Sequence, residues 1–307
     1  MRGTSGEIIW SNRFTIPEDS IDSYELLEPV QRLSSTIGQP YGVLYSQILG
    51  DPRRTAEQGC LLSGYEWFQN PAKERVESIR QCLEDLRAAK PGNHVAHMML
   101  AYIHVARFRW GLGEDPDAEL TLALNSAKQA IARRPESAGS HQAMMEVQWA
   151  REKFDLAEEA GRKAVSLNPN SSDVVADFGC RLIYSGKYSE GGTYVDRAAR
   201  WNAQPPVWHQ FCRFVAAYNS GRFDDAQAVA DALEGQHGPE AYLPVLLMAH
   251  HRDDHDNVKQ LAEQLFAYDS AYRSNAVPSL QKIGLLQEVA EPLAKDLAEC
   301  LAAVGLS

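Results

Sequence analysis

Three short phrases recur in this chain at an interval that few folds accommodate. Lys153-Phe154-Asp155-Leu156-Ala157, Lys187-Tyr188-Ser189-Glu190-Gly191 and Arg222-Phe223-Asp224-Asp225-Ala226 each run basic, aromatic, capping, variable, small. Their aromatics fall 34 and then 35 residues apart. A period near 34 residues belongs to stacked helix–turn–helix units, none of which can bury its apolar face alone. Pro135, Pro169, Pro205 and Pro239 keep the same beat. Gly186 and Gly221 precede two of the phrases, where a first helix stops in a left-handed residue. Asp155, Ser189 and Asp224 read as N-caps of second helices, and Glu158 and Gln227 as the far ends of capping boxes. Gly161, Ala164, Ala198, Ala226 and Ala230 are small enough to let paired helices approach closely.

This pattern resembles the tetratricopeptide repeat, with its small residues at fixed places, an aromatic at the turn and a closing proline. The small residue in the middle of the first helix stands here as Ala101 and Gly179. The resemblance implies an all-α, right-handed solenoid of helical hairpins. Residues 1–52 do not follow the repeat. Residues 6–14 alternate as a strand does, and Leu26, Leu27, Val30, Leu33 and Ile37 have helical spacing. The chain thus divides into a strand-plus-helix segment at 1–52, repeats at 53–278 and capping helices at 279–307. A lone strand leaves its backbone edges unpaired, so pairing is expected, either with a partner chain, a second copy included, or with a missing part of the same protein.

Composition narrows the function. Hydrophobic residues make up 44% of the chain, enough for a continuous core, but no run of about 18 apolar residues spans a membrane. The formal charge of −11 repels nucleic-acid phosphates and suits a basic partner. Cys60, Cys82, Cys180, Cys212 and Cys300 form no CxxC pair, so neither a zinc site nor a disulfide framework is expected, and a cytoplasmic setting is.

A second resemblance rests on Gly6, Trp10, Ser11, Arg13, Phe14, Gly64, Tyr65 and the elongated turn in residues 111–135. It is to the C-terminal tetratricopeptide portion of bacterial regulators. In these a class III adenylate cyclase-like or winged-helix DNA-binding domain precedes a small α/β domain and the repeats. It implies that residues 1–52 are a remnant of the α/β domain, and that the chain is a regulatory tail or remnant of such a protein.

Candidate chemistry is sparse. His251 and His255 have the i, i+4 spacing of a zinc pair, but in the repeat register they fall across a turn, with His255 in the aromatic place and Asp256 as N-cap. Residues 113–117 lack the spaced ligands of a calcium loop. No GxSxG, HExxH or Walker motif is present. No catalytic residue, cofactor or metal is therefore expected.

Binding remains. The first helices of such hairpins line a groove. In the repeat register, Glu146, Trp149, Asp173, Asp177, Tyr184, Trp208, Phe211 and Tyr218 face it. Gln142 and Glu146 stand where repeat proteins that bind chaperone C-termini carry a carboxylate clamp, so that ligand is disfavoured. The expectation is a non-catalytic scaffold whose exposed aromatics and acids take an apolar or basic segment of a protein partner.

Overall fold

The computed structural model describes residues 55–69, 71–202 and 205–306, and every regular element among them is helical. The strand expected at residues 8–14, the helix after it and any dimerisation through that strand lie outside the described residues. Among the described residues, six hairpins follow one another. They are α1 (Ala56–Gln69) with α2 (Val76–Ala89), α3 (His94–Arg109) with α4 (Pro116–Arg133), and α5 (Ala138–Ala150) with α6 (Phe154–Leu167). Then come α7 (Ser172–Tyr184) with α8 (Tyr188–Trp201), α9 (Val207–Asn219) with α10 (Phe223–Leu233), and α11 (Pro239–His251) with α12 (His255–Tyr268). Two short helices, α13 (Ala271–Ser274) and α14 (Val277–Ile283), lead to a long last one, α15 (Gln287–Ala303). The chain forms two compact units. The first holds the described residues up to Val175, with residues 200–202; the second holds Ala176–Ala199 and the described residues from 205 on.

One turn is used again and again. A residue with positive φ follows the first helix at Gly111, Glu152, Gly186, Gly221 and Asp253. The next N–H reaches back five residues to a carbonyl, Lys153 to Gln148, Lys187 to Leu182, Arg222 to Ala217 and Asp254 to Ala249. This is the Schellman closure, which satisfies carbonyls orphaned at a helix end. The second helix then starts on the aromatic itself, at Phe154, Tyr188 and Phe223. Asp155 and Asp224 are therefore not N-caps but first-turn acids, where they complement the helix dipole. The N-caps are Lys153 and Arg222, without a side-chain bond. Likewise α12 is capped by Asp254, not Asp256. Glu158 accepts from Arg162, and Gln227 donates to Asp231.

A second turn joins hairpin to hairpin in the first unit. The N–H groups of Asn93, Ser137 and Ser171 bond the carbonyls of Lys90, Arg134 and Asn168, with Pro91, Pro135 and Pro169 at the position where a fixed φ helps. Asn93, Ser137 and Ser171 then cap the next helix through their side-chain oxygens.

The units are held differently inside. In the first, a buried polar network locks the elongated turn between α3 and α4. Glu119 accepts from His104 Nδ1 at 2.7 Å and from Arg107 Nε at 2.8 Å. Arg107 also bonds the Leu112 carbonyl at 3.3 Å and pairs with Glu77. Gly113 sits over this carboxylate; a Cβ there would lie 2.5 Å from Glu119 Cγ. Burial holds the His104 imidazole below its usual pKa, partly offset by Glu119.

In the second unit the packing is apolar. Gly179 and Gly191 bring the backbones of α7 and α8 together, and a Cβ on Gly191 would lie 2.5 Å from the Gly179 carbonyl oxygen. The cysteines depart from expectation in both units. Cys60 is disulfide-bonded to Cys82, tying α1 to α2, and Cys180 to Cys212, tying α7 to α9. Their Cα atoms are 5.9 and 5.4 Å apart, within the range a disulfide needs. Separations of 22 and 32 residues in sequence hid pairs that the hairpin stack brings together.

Candidate peptide-binding face

The expected groove residues are divided between the units, and most are not free. In the first unit, Glu146 is 4% exposed and pairs with Arg109 at 2.6 Å. Trp149 is 7% exposed, edge-on to Phe154 at 5.0 Å. Asp173 is half-buried in the first turn of α7. Its charge adds to burial in raising the Tyr65 phenol.

In the second unit, Asp177 is buried and accepts from Arg181 at 3.4 Å. The Arg181 guanidinium lies 5.8 Å from the Tyr184 ring centre, so a cation of this chain already occupies that face. Tyr184 is 3% exposed, beside Phe211 at 6.5 Å and with its hydroxyl 3.1 Å from Cys212 Sγ. Phe211 is fully buried. Trp208 remains half-exposed, edge-on to His209 at 3.9 Å. Burial drives the His209 imidazole down to about 3. The expectation of exposed aromatic anchors therefore does not hold for Trp149, Tyr184, Phe211 or Tyr218.

What covers the second unit's first helices is the end of the chain. Helix α15 meets α9, α11 and α12. Its entry is fixed by the Leu286 N–H on the Tyr184 carbonyl at 3.0 Å, at the end of α7. Asn219, at the end of α9, donates to the Val289 carbonyl at 3.4 Å. The Tyr218 hydroxyl donates to Asp296 Oδ2 at 2.9 Å, while its oxygen faces His251 Nε2 at 3.3 Å. Burial, then Asp296, push the Tyr218 phenol far above its usual pKa. On α15 the apolar stripe is Val289, Leu293, Leu297 and Leu301, all buried. Glu291, Lys295 and Glu299 point to solvent.

Asp296, Asn219 and His251 lie outside the groove that the repeat register implies. Asp296 belongs to the outer row of an amphipathic helix, and sequence periodicity alone does not say which helix ends that row will meet. His251 closes α11 and His255 opens α12 across the turn at residues 252–254, so the two imidazoles do not share a helix face. His251 packs instead against Phe223, with the rings tilted and their centres 4.8 Å apart, and Phe223 is 44% exposed. Asp115, in the elongated turn, caps α4 by accepting from Asp117 and Ala118. Among the described residues no group of three or more His, Cys, Asp or Glu could hold a metal ion, and no helix is long and apolar enough to cross a membrane.

With this geometry the fold can be compared with known ones. The helical hairpins match the structure of PilF from Pseudomonas aeruginosa at a TM-score of 0.50 and 18% identity, over 70% of this chain and 92% of that one. The fold is an all-α, tetratricopeptide-like stack of hairpins. Weaker likenesses reach a thermophilic TPR protein of Thermus thermophilus (TM-score 0.48, 19% identity, 68% of this chain and 98% of that one) and yeast Tom70 (TM-score 0.49, 14% identity, 89% and 58%). These two carry no further weight. No family model matches the sequence, and no curated protein matches it.

Proposed function

We propose that this chain is a non-catalytic scaffold that binds a protein or peptide partner through the first helices of its hairpins. The observation that carries this reading is the seating of α15. The first-helix side of the second unit accepts an amphipathic helix by an apolar stripe, a tyrosine hydroxyl and an asparagine amide. A surface that takes one such helix has the chemistry to take another. Contacts are to be sought at Glu146, Trp149 and Asp173 within the first unit, and at Asp177, Tyr184, Trp208, Phe211 and Tyr218 within the second. The buried members shape that face, and Trp208 supplies accessible aromatic surface. The net charge of −11 favours partners with a basic rim.

Within this reading the setting is bacterial regulation, as the resemblance over Gly6, Trp10, Ser11, Arg13, Phe14, Gly64 and Tyr65 suggests. Gly64 has a packing reason besides: a Cβ there would lie 2.7 Å from Met99 Sδ. The two disulfides favour an oxidising compartment over the cytoplasm expected from the cysteine count.

Selection of helical peptides from a displayed random library on the immobilised full chain tests the reading. Enriched peptides should be amphipathic, carry basic residues, and lose at least five-fold in affinity on Trp208→Ala in a folded protein. A library that yields no binder, or binders indifferent to every first-helix substitution, would overturn it.

A further inference from the structure

We propose that α15 is a built-in occupant of the second unit's first-helix face, and that the partner recognised there is an amphipathic helix that must displace it. This rests on the scaffold reading above and adds the chemistry of the ligand and the device that regulates access.

Three observations carry it. The first is how thoroughly α15 fills the face. Its stripe at Val289, Leu293, Leu297 and Leu301 repeats every four residues, so one side of a helix supplies the whole apolar contact. Ala290 and Cys300 widen the stripe, and burial drives the Cys300 thiol up to about 12, so it stays a protonated packing group. The second is the set of polar contacts at the ends of successive first helices. The Tyr184 carbonyl, the Asn219 amide and the Tyr218 hydroxyl engage Leu286, Val289 and Asp296 in chain order. A competing helix must present an acceptor carboxylate where Asp296 meets Tyr218, three residues after one apolar position and one before the next.

The third is that the N-terminal part of α15 carries features that favour its release. Pro292 stands inside it, where the ring removes a backbone hydrogen bond. No side chain caps its start at Leu286. The segment is approached through Gly284, whose φ of +122 is open to glycine and costly to other residues. Helix α15, though rich in Ala and Leu, therefore depends in part on the face it covers. Ordering its 17 residues offsets much of what six buried side chains return, so release of this one element is within reach of a competing ligand.

The test uses the full chain and a fluorescein-labelled peptide with the sequence of Gln287–Ala303. Leu297→Asp puts a carboxylate in the apolar stripe and frees the face without altering it. Asp296→Lys is milder, since Asp296 is half-exposed and contributes only its bond to Tyr218. By fluorescence anisotropy, Leu297→Asp should bind the peptide at least 20-fold more tightly than the wild-type chain, and Asp296→Lys three- to ten-fold more tightly. If circular dichroism shows Leu297→Asp unfolded, Asp296→Lys decides. Equal binding by wild type and variants would place the peptide elsewhere and overturn the occupancy proposal while leaving the scaffold reading intact. No binding by a folded variant would overturn it too, and the library selection would then decide the scaffold reading separately.

Discussion

Helices α5, α9 and α11 are each 13 residues long and hold the same place in their hairpins, yet six, eight and nine of their residues are buried. Helix α5, in the first unit, keeps His141, Gln142, Met144 and Gln148 half-exposed. Helix α11, in the second, is apolar nearly all round, as a helix must be when neighbours cover both its sides, while α9 keeps Gln210 and Arg213 half-exposed on one side. Part of the cover on α9 and α11 is α15. The difference shows that the repeat register fixes which residues face the first-helix side but not whether that side is open.

The comparison extends to what holds each unit. The first carries a buried charged knot at Glu119; the second carries a fully buried neutral histidine and an apolar seam. Breaking the knot should have a large effect. Glu119→Ala leaves buried His104 without its acceptor and Arg107 with only Glu77 and the Leu112 carbonyl, and should cost about 3 kcal/mol in urea unfolding. A loss below about 1 kcal/mol would mean that solvent reaches the site. Asp296→Ala in the second unit, at a half-exposed pair, should cost about 1 kcal/mol.

The disulfides sharpen the contrast next. Cys60→Ser and Cys180→Ser should each lower stability by about 3–4 kcal/mol under oxidising conditions, given loops of 22 and 32 residues. Thiol titration of the denatured, unreduced chain should find only Cys300 among the cysteines. Five titrating thiols would instead support the reducing compartment.

The pH response of the second unit is smaller, because two groups oppose each other. The folded pKa of His209, about 3, lies below its unfolded value near 6.5. The unfolded chain takes that proton first, and stability falls as pH drops below 6.5. Glu240, half-buried at the start of α11, is raised by burial to about 7, so the folded chain takes its proton first. Its contribution rises as pH drops from 7 towards 4.5. Between pH 6.5 and 4.5 the two largely cancel. His209→Phe should expose the Glu240 limb, shifting the stability difference from wild type by about 3 kcal/mol across that window. Glu240→Gln should do the reverse. Parallel wild-type and His209→Phe profiles would show that His209 does not titrate this way.

Much of the fold was legible in the sequence because it is local. The 34-residue beat, the glycines at 186 and 221 and the prolines before each first helix act within a few residues of themselves. The turn geometry at Glu152 and Asp253 was not legible, since neither is a glycine and only its neighbours force the positive φ. The caps lie two residues earlier than the sequence pattern implies, because an acid suits the first turn as well as the cap. The site was less legible than the fold. Glu146 and Tyr184 lie on first helices as the register implies, but Arg109 neutralises one and Arg181 and Phe211 cover the other. The amphipathic pattern of α15 was plain; that its apolar side lies on α9 and α11 depends on the path through α13 and α14, which no periodicity encodes.

Native-state hydrogen exchange on the unmodified full chain tests most directly whether α15 is a removable occupant or part of the core. Amides in α15 should exchange through a local opening, at least ten-fold faster than the slowest amides of α9 and α11, with a weak dependence on denaturant. If α15 exchanges only together with α9 and α11, at the free energy of global unfolding, it is an inseparable part of the unit and the displaceable-helix interpretation is wrong.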